Sequence, residues 1–325
     1  MHNLLVNHRQ PSWLRWVLTT GYILFGVIIG YLLGHLITYE EETDSVLTYA
    51  PNLLGSSRNS SISDVTIRCA VVIFGAQRDH SKYVASIRDT YSKHCNDTIF
   101  FTDSKLLQAE FEDELNIVYV DTWLTHYNWN FYRTVLGFLR DLDRNSSSLF
   151  TNWTIIGDEQ MYVVVGNLRK LLFKHDPQQS MIFGRITFKR TFFSLLFPFR
   201  TTKSISLRAG IVMSTTALAI MANDKCSGWR VPLATERALP WCADFYDIPI
   251  IDSVDKDEMY LFHSLDPKSL ITDLSFFPYE KQNFQEDYQK AACCSDMSVT
   301  FGSMNYKQQR LIDYMSTAVQ VFGRQ

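Results

Sequence analysis

Three polar residues, Asp158, Glu159 and Gln160, separate two apolar runs in the stretch WTIIGDEQMYVVV, Trp153 to Val165. An acid pair at the end of a buried strand can hold a hard divalent cation. Such ions take anionic oxygens, and the bound metal then neutralises a departing diphosphate. Residues two apart on an extended chain face the same way. Asp158 and Gln160 are therefore expected to share a face, with Glu159 turned elsewhere. Gln160 offers one neutral carbonyl oxygen and no second charge. The triplet reads as a metal site short of one ligand; the plainer reading is a solvated acidic turn after a strand.

The elements around the triplet follow from hydrophobic patterning. VTIRCAVVIFG, from Val65, is a continuous β-branched run and predicts a buried strand. SKYVASIRDTYSKHC places Val84, Ile87 and Tyr91 at helical spacing. TIFFTD and LNIVYVD predict two further strands. NFYRTVLGFLRDLD predicts a helix with Phe131, Val135, Phe138, Leu139 and Leu142 on one face. The strand TIIGD comes next. YVVVGNLRKLLFKHDP then turns helical and stops before Pro177. This order predicts an α/β fold with a mixed, largely parallel sheet, in which ligands sit at the carboxyl ends of strands. Asp158 occupies one such end.

The chain has 325 residues, 46% of them hydrophobic, and a net charge of -3. That balance, without a basic stripe, gives no reason to expect nucleic acid. Trp16 to Ile37 has no charged residue apart from His35. As a helix it would be roughly 33 Å long, enough to span a ~30 Å hydrocarbon core. Arg9 and Arg15 precede it, and Glu40, Glu41, Glu42 and Asp44 follow. The positive-inside rule then gives a single-pass type II protein: cytoplasmic tail 1–15, signal-anchor 16–37, lumenal stem 38–64 and folded lumenal domain 65–325. Gly26, Gly30 and Gly34 recur at every fourth position, which allows a second helix, and so a homodimer, to pack closely.

Six cysteines follow the anchor: Cys69, Cys95, Cys226, Cys242, Cys293 and Cys294. Their spacing fits no zinc ribbon, and an even number suits disulfides in an oxidising compartment. Fifteen pairings are open. Cys69 with Cys95 would join a strand to the end of the next helix. Cys226 with Cys242 would close a short loop. Cys293 and Cys294 are left to pair with each other or elsewhere. Asn59, Asn96, Asn145 and Asn152 head Asn-x-Ser/Thr sequons, in keeping with a lumenal domain.

Several stretches together carry a family resemblance over residues 65–325. They are TYSKHCND, DEQMYVVVGNLRKLLFKHDP, RAGIVMS, WCADFYDIPIIDS and, most specific, CCSDMSVTF from Cys293 to Phe301. The chain resembles the animal core 1 β-1,3-galactosyltransferase group. The resemblance implies a GT-A-like glycosyltransferase fold and work on mucin-type O-glycans, in the endoplasmic reticulum or Golgi membrane. The group holds a metal-dependent transferase, which passes galactose from UDP-galactose to O-linked GalNAc. It also holds a dedicated chaperone branch, Cosmc, which lacks the metal triplet. IFG (Ile73 to Gly75), KHC (Lys93 to Cys95), GIV (Gly210 to Val212), SDMSVTF and the VFGRQ end lean toward the chaperone branch.

The departures also matter. The group's transferases carry a second acidic site, Glu-Asp, where this chain has Glu236 followed by Arg237 in LATERALPWC. Arg237 puts a fixed cation in place of a carboxylate and is expected to pair with Glu236. The chaperone branch generally keeps Glu-Asp there and lacks Asp158 and Glu159, so the chain departs from both patterns. Two functional readings stand. The first is a non-catalytic chaperone with core 1 galactosyltransferase as client and no cofactor. The alternative is a divergent active transferase using UDP-galactose, with Mn²⁺ at Asp158 and with Glu236 as its catalytic residue. Other silent roles, lectin-like or heterodimer-forming, complete the set.

Overall fold

The computed structural model describes residues 21–22, 24–29, 64–73, 79–121, 128–145, 151–190, 201–223, 225–228, 231–272 and 294–317. The chain forms two compact units, Met1–Thr43 with Phe188–Thr202 and Asp44–Thr187 with Lys203–Gln325. In the first unit, residues 21–22 and 24–29 are helical, with exposed apolar side chains such as Leu24 and Phe25. Gly26 lies on these turns, whereas Gly30, Gly34 and most of the expected anchor lie outside the described residues. Among the described residues, no helix is long and apolar enough to cross a membrane.

The second unit is built on a mixed sheet. Its first half runs β1 (Ile67–Ile73), α1 (His80–Asp89), β2 (Asp97–Thr102), α2 (Lys105–Phe111), β3 (Ile117–Tyr119), α3 (Trp129–Asn145) and β4 (Trp153–Asp158). Then come β5 (Tyr162–Val163), α4 (Val165–Leu172), β6 (Ile182–Gly184), β7 (Ile186–Arg190) and β8 (Thr201–Ile205), whose residues 188–190 and 201–202 are counted with the first unit, β9 (Ile211–Ser214) and α5 (Thr215–Met221). The last part is α6 (Thr235–Phe245), β10 (Ile250–Ile251), β11 (Phe262–His263), α7 (Pro267–Thr272), β12 (Thr300–Phe301) and α8 (Tyr306–Thr317). Seven strands pair in the order β10-β6-β9-β4-β1-β2-β3. Only β9 runs against its neighbours, β4 and β6.

β1 is buried along its whole length, as its unbroken apolar run predicts. Side chains of a strand alternate between faces. Ile67, Cys69, Val71 and Ile73 accordingly join one core with Val84 and Ile87 of α1 and Leu168 of α4. Ala70 and Val72 join the opposite core with Val135 and Leu139 of α3, Leu218 of α5 and Leu239 of α6. Helices on both faces explain why the strands need no polar side. Phe138, placed on the buried stripe of α3, is 39% exposed yet meets Phe101 edge-on at 5.5 Å.

Arg68 is the exception on β1. It is fully buried, and its Nε and Nη1 bind Asp97 of β2 at 2.9 Å and Asp143 of α3 at 2.6 Å. Burial raises the Asp143 pKa, and Arg68 opposes that shift. Both carboxylates are needed to offset the desolvation of one guanidinium.

Two elements depart from the sequence pattern. α2 is an unforeseen seven-residue helix, started by Ser104, whose side chain accepts from Leu107 N. Of its apolar residues only Leu107 and Phe111 are buried, while Leu106 is exposed, so the sequence shows no clear periodicity. The helix expected from Tyr162 begins instead at Val165, because Tyr162 and Val163 pair with β12.

Candidate functional site

β1 is the point where the sheet changes its direction of growth. β2 and β3 build outward on one side of it, and β4 returns to its other side. Ligands of open α/β sheets bind outside the carboxyl ends at such a switch point. Asp158, the last residue of β4, lies opposite Val72 near the carboxyl end of β1.

The chain does not stay extended past Asp158. Its Oδ1 accepts from the backbone N of Gln160 at 3.1 Å, and its carbonyl accepts from Met161 N at 3.2 Å. This side-chain-closed turn bends the chain at Glu159. The expectation that Asp158 and Gln160 share a strand face is therefore corrected, since alternation holds only for extended backbone. Both acids of the turn are buried, Asp158 being 7% and Glu159 8% exposed. Gln160 is only half-buried.

Distant segments hold the turn. Gln309 of α8 donates Nε2 to the carbonyls of Glu159 and Met161, and Met304 N donates to Gln160 O at 2.9 Å. One and two turns along α8, Asp313 and Ser316 reach the Tyr162 hydroxyl at 3.1 and 3.4 Å. β12, the end of the CCSDMSVTF stretch, pairs antiparallel with β5. Met161 is fully buried, and a Cβ on either Gly157 or Gly210 would collide with its sulfur. Gly210 has φ +76, a conformation that suits glycine.

Burial dominates the electrostatics. It pushes the Asp158 carboxyl up to about 6, against backbone N–H groups and the Arg208 charge, which pull it down. Glu159 is pushed up to about 7, by burial first and by Asp158 second. Tyr91 and Tyr132 are buried with hydroxyls that have no hydrogen-bond partner among the described residues, and burial raises both pKa values. The Asp158 charge contributes to both of those shifts. Tyr83 is raised by burial, then by Glu159. Arg208 is exposed and donates to Ser303 Oγ at 3.3 Å. Tyr132 and Gln309 carry no mark in the sequence, whereas Tyr91 stands out only by its helical spacing and its place in TYSKHCND, and Arg208 only by opening RAGIVMS.

Two adjacent carboxylates supply hard oxygen donors. Among the described residues, no group of three His, Cys, Asp or Glu side chains is placed to hold a metal ion. The pair fits a divalent cation only within a ligand set completed by phosphate oxygens or water.

Glu236 lies in the first turn of α6, half-buried, with Arg237 exposed beside it. Pro240 lacks the N–H that would bond the Glu236 carbonyl, and Ser204 Oγ donates to that carbonyl at 3.3 Å. Cys69 pairs with Cys95, and Cys226 with Cys242. Cys294 is also disulfide-bonded, whereas Cys293 lies outside the described residues. Asn59 lies outside them too, as does the side chain of Asn145; Asn96 is exposed and Asn152 half-buried.

No protein-family model matches the chain. It is 23% identical over 257 residues to the Xenopus laevis glycoprotein-N-acetylgalactosamine 3-beta-galactosyltransferase 1, covering 74% of this chain and 63% of that relative. The chain thus spans less than two thirds of the relative's length. Among solved structures it is similar to a glycosyltransferase involved in the glycosylation of the major capsid of PBCV-1, at 10% identity, TM-score 0.36, and 76% and 98% coverage of the two chains. It is also similar to the galactosyltransferase LgtC in complex with donor and acceptor sugar analogs, at 9% identity, TM-score 0.36, and 77% and 97% coverage.

Proposed function

We propose that this chain is a galactosyltransferase-like protein of GT-A type acting as a Cosmc-like chaperone, with a core 1 β-1,3-galactosyltransferase as client. It would be a type II protein of the endoplasmic reticulum or Golgi membrane, anchored through residues 16–37. The likeness to the Xenopus galactosyltransferase supports the coarser part, a galactosyltransferase-like chain. The observation that carries the finer part is the state of the acidic turn. A donor site must admit a cation and a diphosphate at each turnover. Here both carboxylates are less than 10% exposed, and Asp158 is engaged in closing its own turn. Their raised pKa values also leave less carboxylate anion for a metal near neutral pH.

A second reading keeps one specific observation in its favour. Two buried acids at the switch point of the sheet are costly to maintain, and a cation with phosphate would relieve that cost. On this reading Asp158 and Glu159 hold Mn²⁺, which would neutralise the UDP leaving group, and the chain is a divergent β-1,3-galactosyltransferase.

The two are separated by paired measurements. The full chain is co-expressed with a core 1 galactosyltransferase in cells lacking a chaperone for it, and transferase activity is recovered from the lysate. The purified protein alone is given UDP-galactose, a GalNAc-peptide and Mn²⁺, and UDP release is followed. Client rescue without UDP release is expected. UDP release by the chain itself, abolished by Asp158→Asn, would replace the chaperone reading with the enzymatic one.

A further inference from the structure

We propose that Asn96 carries an N-linked oligosaccharide, and that the same side chain uses its oxygen to tie three segments together. The proposal rests on the lumenal placement given above. Asn96 opens the sequon Asn96-Asp97-Thr98 between the 3₁₀ turn Tyr91–His94 and β2. Its Oδ1 accepts from Ile67 N at 2.9 Å and from Arg169 Nη2 at 3.2 Å. Arg169, on α4, also binds His94 O at 2.8 Å. One carbonyl oxygen therefore joins the start of β1, the turn before β2 and α4, beside the Cys69–Cys95 bridge.

The amide nitrogen is left over. Asn96 is exposed, and its Nδ2 makes no hydrogen bond among the described residues. The modification uses that atom alone. Nδ2 attacks the anomeric carbon of an oligosaccharide held on a lipid diphosphate. The N–C bond forms and the C–O bond to phosphate breaks. One Nδ2 proton passes to a base of the host transferase, and the lipid diphosphate leaves. The product keeps its carbonyl oxygen, so both acceptor bonds survive glycosylation.

Position and competition agree. Asp97 pairs with Arg68 at the amino end of β1, and Ile67 lies level with Trp153 at the amino end of β4. Five strand steps, roughly 17 Å, separate that level from Asp158. The glycan would thus project from the amino ends of the strands, the opposite end of the sheet from the acidic turn. Asn152 is placed less well. It is half-buried, and the other two residues of its sequon, Trp153 and Thr154, are 1% and 2% exposed within β4.

The test is peptide mapping of the full chain from a glycosylating cell, after enzymatic deglycosylation in ¹⁸O water. That reaction converts each glycosylated Asn to labelled Asp. The Asn96 peptide should carry the label. Asn96→Asp removes the sequon but keeps an acceptor oxygen, so it should lose one glycan of mobility while melting within about 2 °C of parent made with N-glycosylation inhibited, in which residue 96 is still Asn. Asn96→Ala should lose the same glycan and melt several degrees lower. An unlabelled Asn96 with label at Asn59, Asn145 or Asn152 would overturn the site and leave the lumenal placement standing. No label anywhere would overturn both. Equal melting of the two variants would overturn the structural half.

Discussion

Gln309 on α8 holds the backbone of Glu159, donating Nε2 to its carbonyl at 2.7 Å across 150 residues of sequence. A second bond from the same nitrogen reaches Met161 O at 3.2 Å. The acidic turn therefore depends on the last described helix. Gln309→Met keeps the volume but leaves two buried carbonyls short of a donor. It should destabilise the fold by about 1–3 kcal/mol. Urea denaturation should show a lower midpoint with an unchanged slope. An unchanged midpoint would mean that water replaces the side chain.

The pH dependence of stability has a defined sign. Burial pushes the Asp158 and Glu159 carboxyls up to about 6 and about 7 in the fold, above the ordinary carboxylate range. The folded chain thus holds more protons than the unfolded chain between about pH 4 and pH 7. Their contribution is complete below pH 4 and is lost as pH rises through 7. His80 and His263 are lowered by burial, His263 to about 4, and act in the opposite sense as pH falls. The difference between parent and Glu159→Gln isolates the acid. The variant should melt higher than the parent at pH 8, and the gap should close by pH 4.5. For one group taken alone, a shift of about two units corresponds to roughly 3 kcal/mol. A gap that is constant across pH would show that Glu159 titrates normally.

Metal and nucleotide give a third expectation. A ligand at 100 times its dissociation constant stabilises by about 2.7 kcal/mol, an easily measured melting shift. With millimolar Mn²⁺ and UDP the natural chain should show no shift, because binding must first deprotonate and uncover the acid pair. A Mn²⁺-dependent shift that Asp158→Asn abolishes would favour the transferase reading. Gln160→Asp should restore little binding, since residue 160 lies beyond the bend and not on a shared strand face.

The Cys226–Cys242 bridge joins the segment after α5 to the interior of α6. Trp129 Nε1 donates to Cys226 O at 3.0 Å, so the bridge also anchors the start of α3. Cys226→Ser should cost about 2–4 kcal/mol. Reduced yield and a lower melting temperature of the full chain are expected. An unchanged melting temperature would show that packing around Trp129 holds this corner by itself.

Apolar order along the chain already determines β1, α3, β4 and the α/β class, because hydrophobic periodicity is a property of neighbouring residues. It also places Asp158 at a strand end. It does not reveal α2, a single short helix with two buried apolar residues and a cap, or the strand Tyr162–Val163, which exists through its pairing with β12. Cysteine count suggests disulfides, but only the fold decides which sulfurs meet. The chemistry of the acidic turn belongs wholly to tertiary structure. Whether the chain runs on extended past Asp158 or bends there depends on the hydrogen bonds that Asp158 accepts from the backbone of Gln160 and Met161. The raised pKa values come from burial under segments distant in sequence, among them α8. Gln309 and Arg208 are ordinary polar residues in the sequence, and they matter because folding brings them to Glu159.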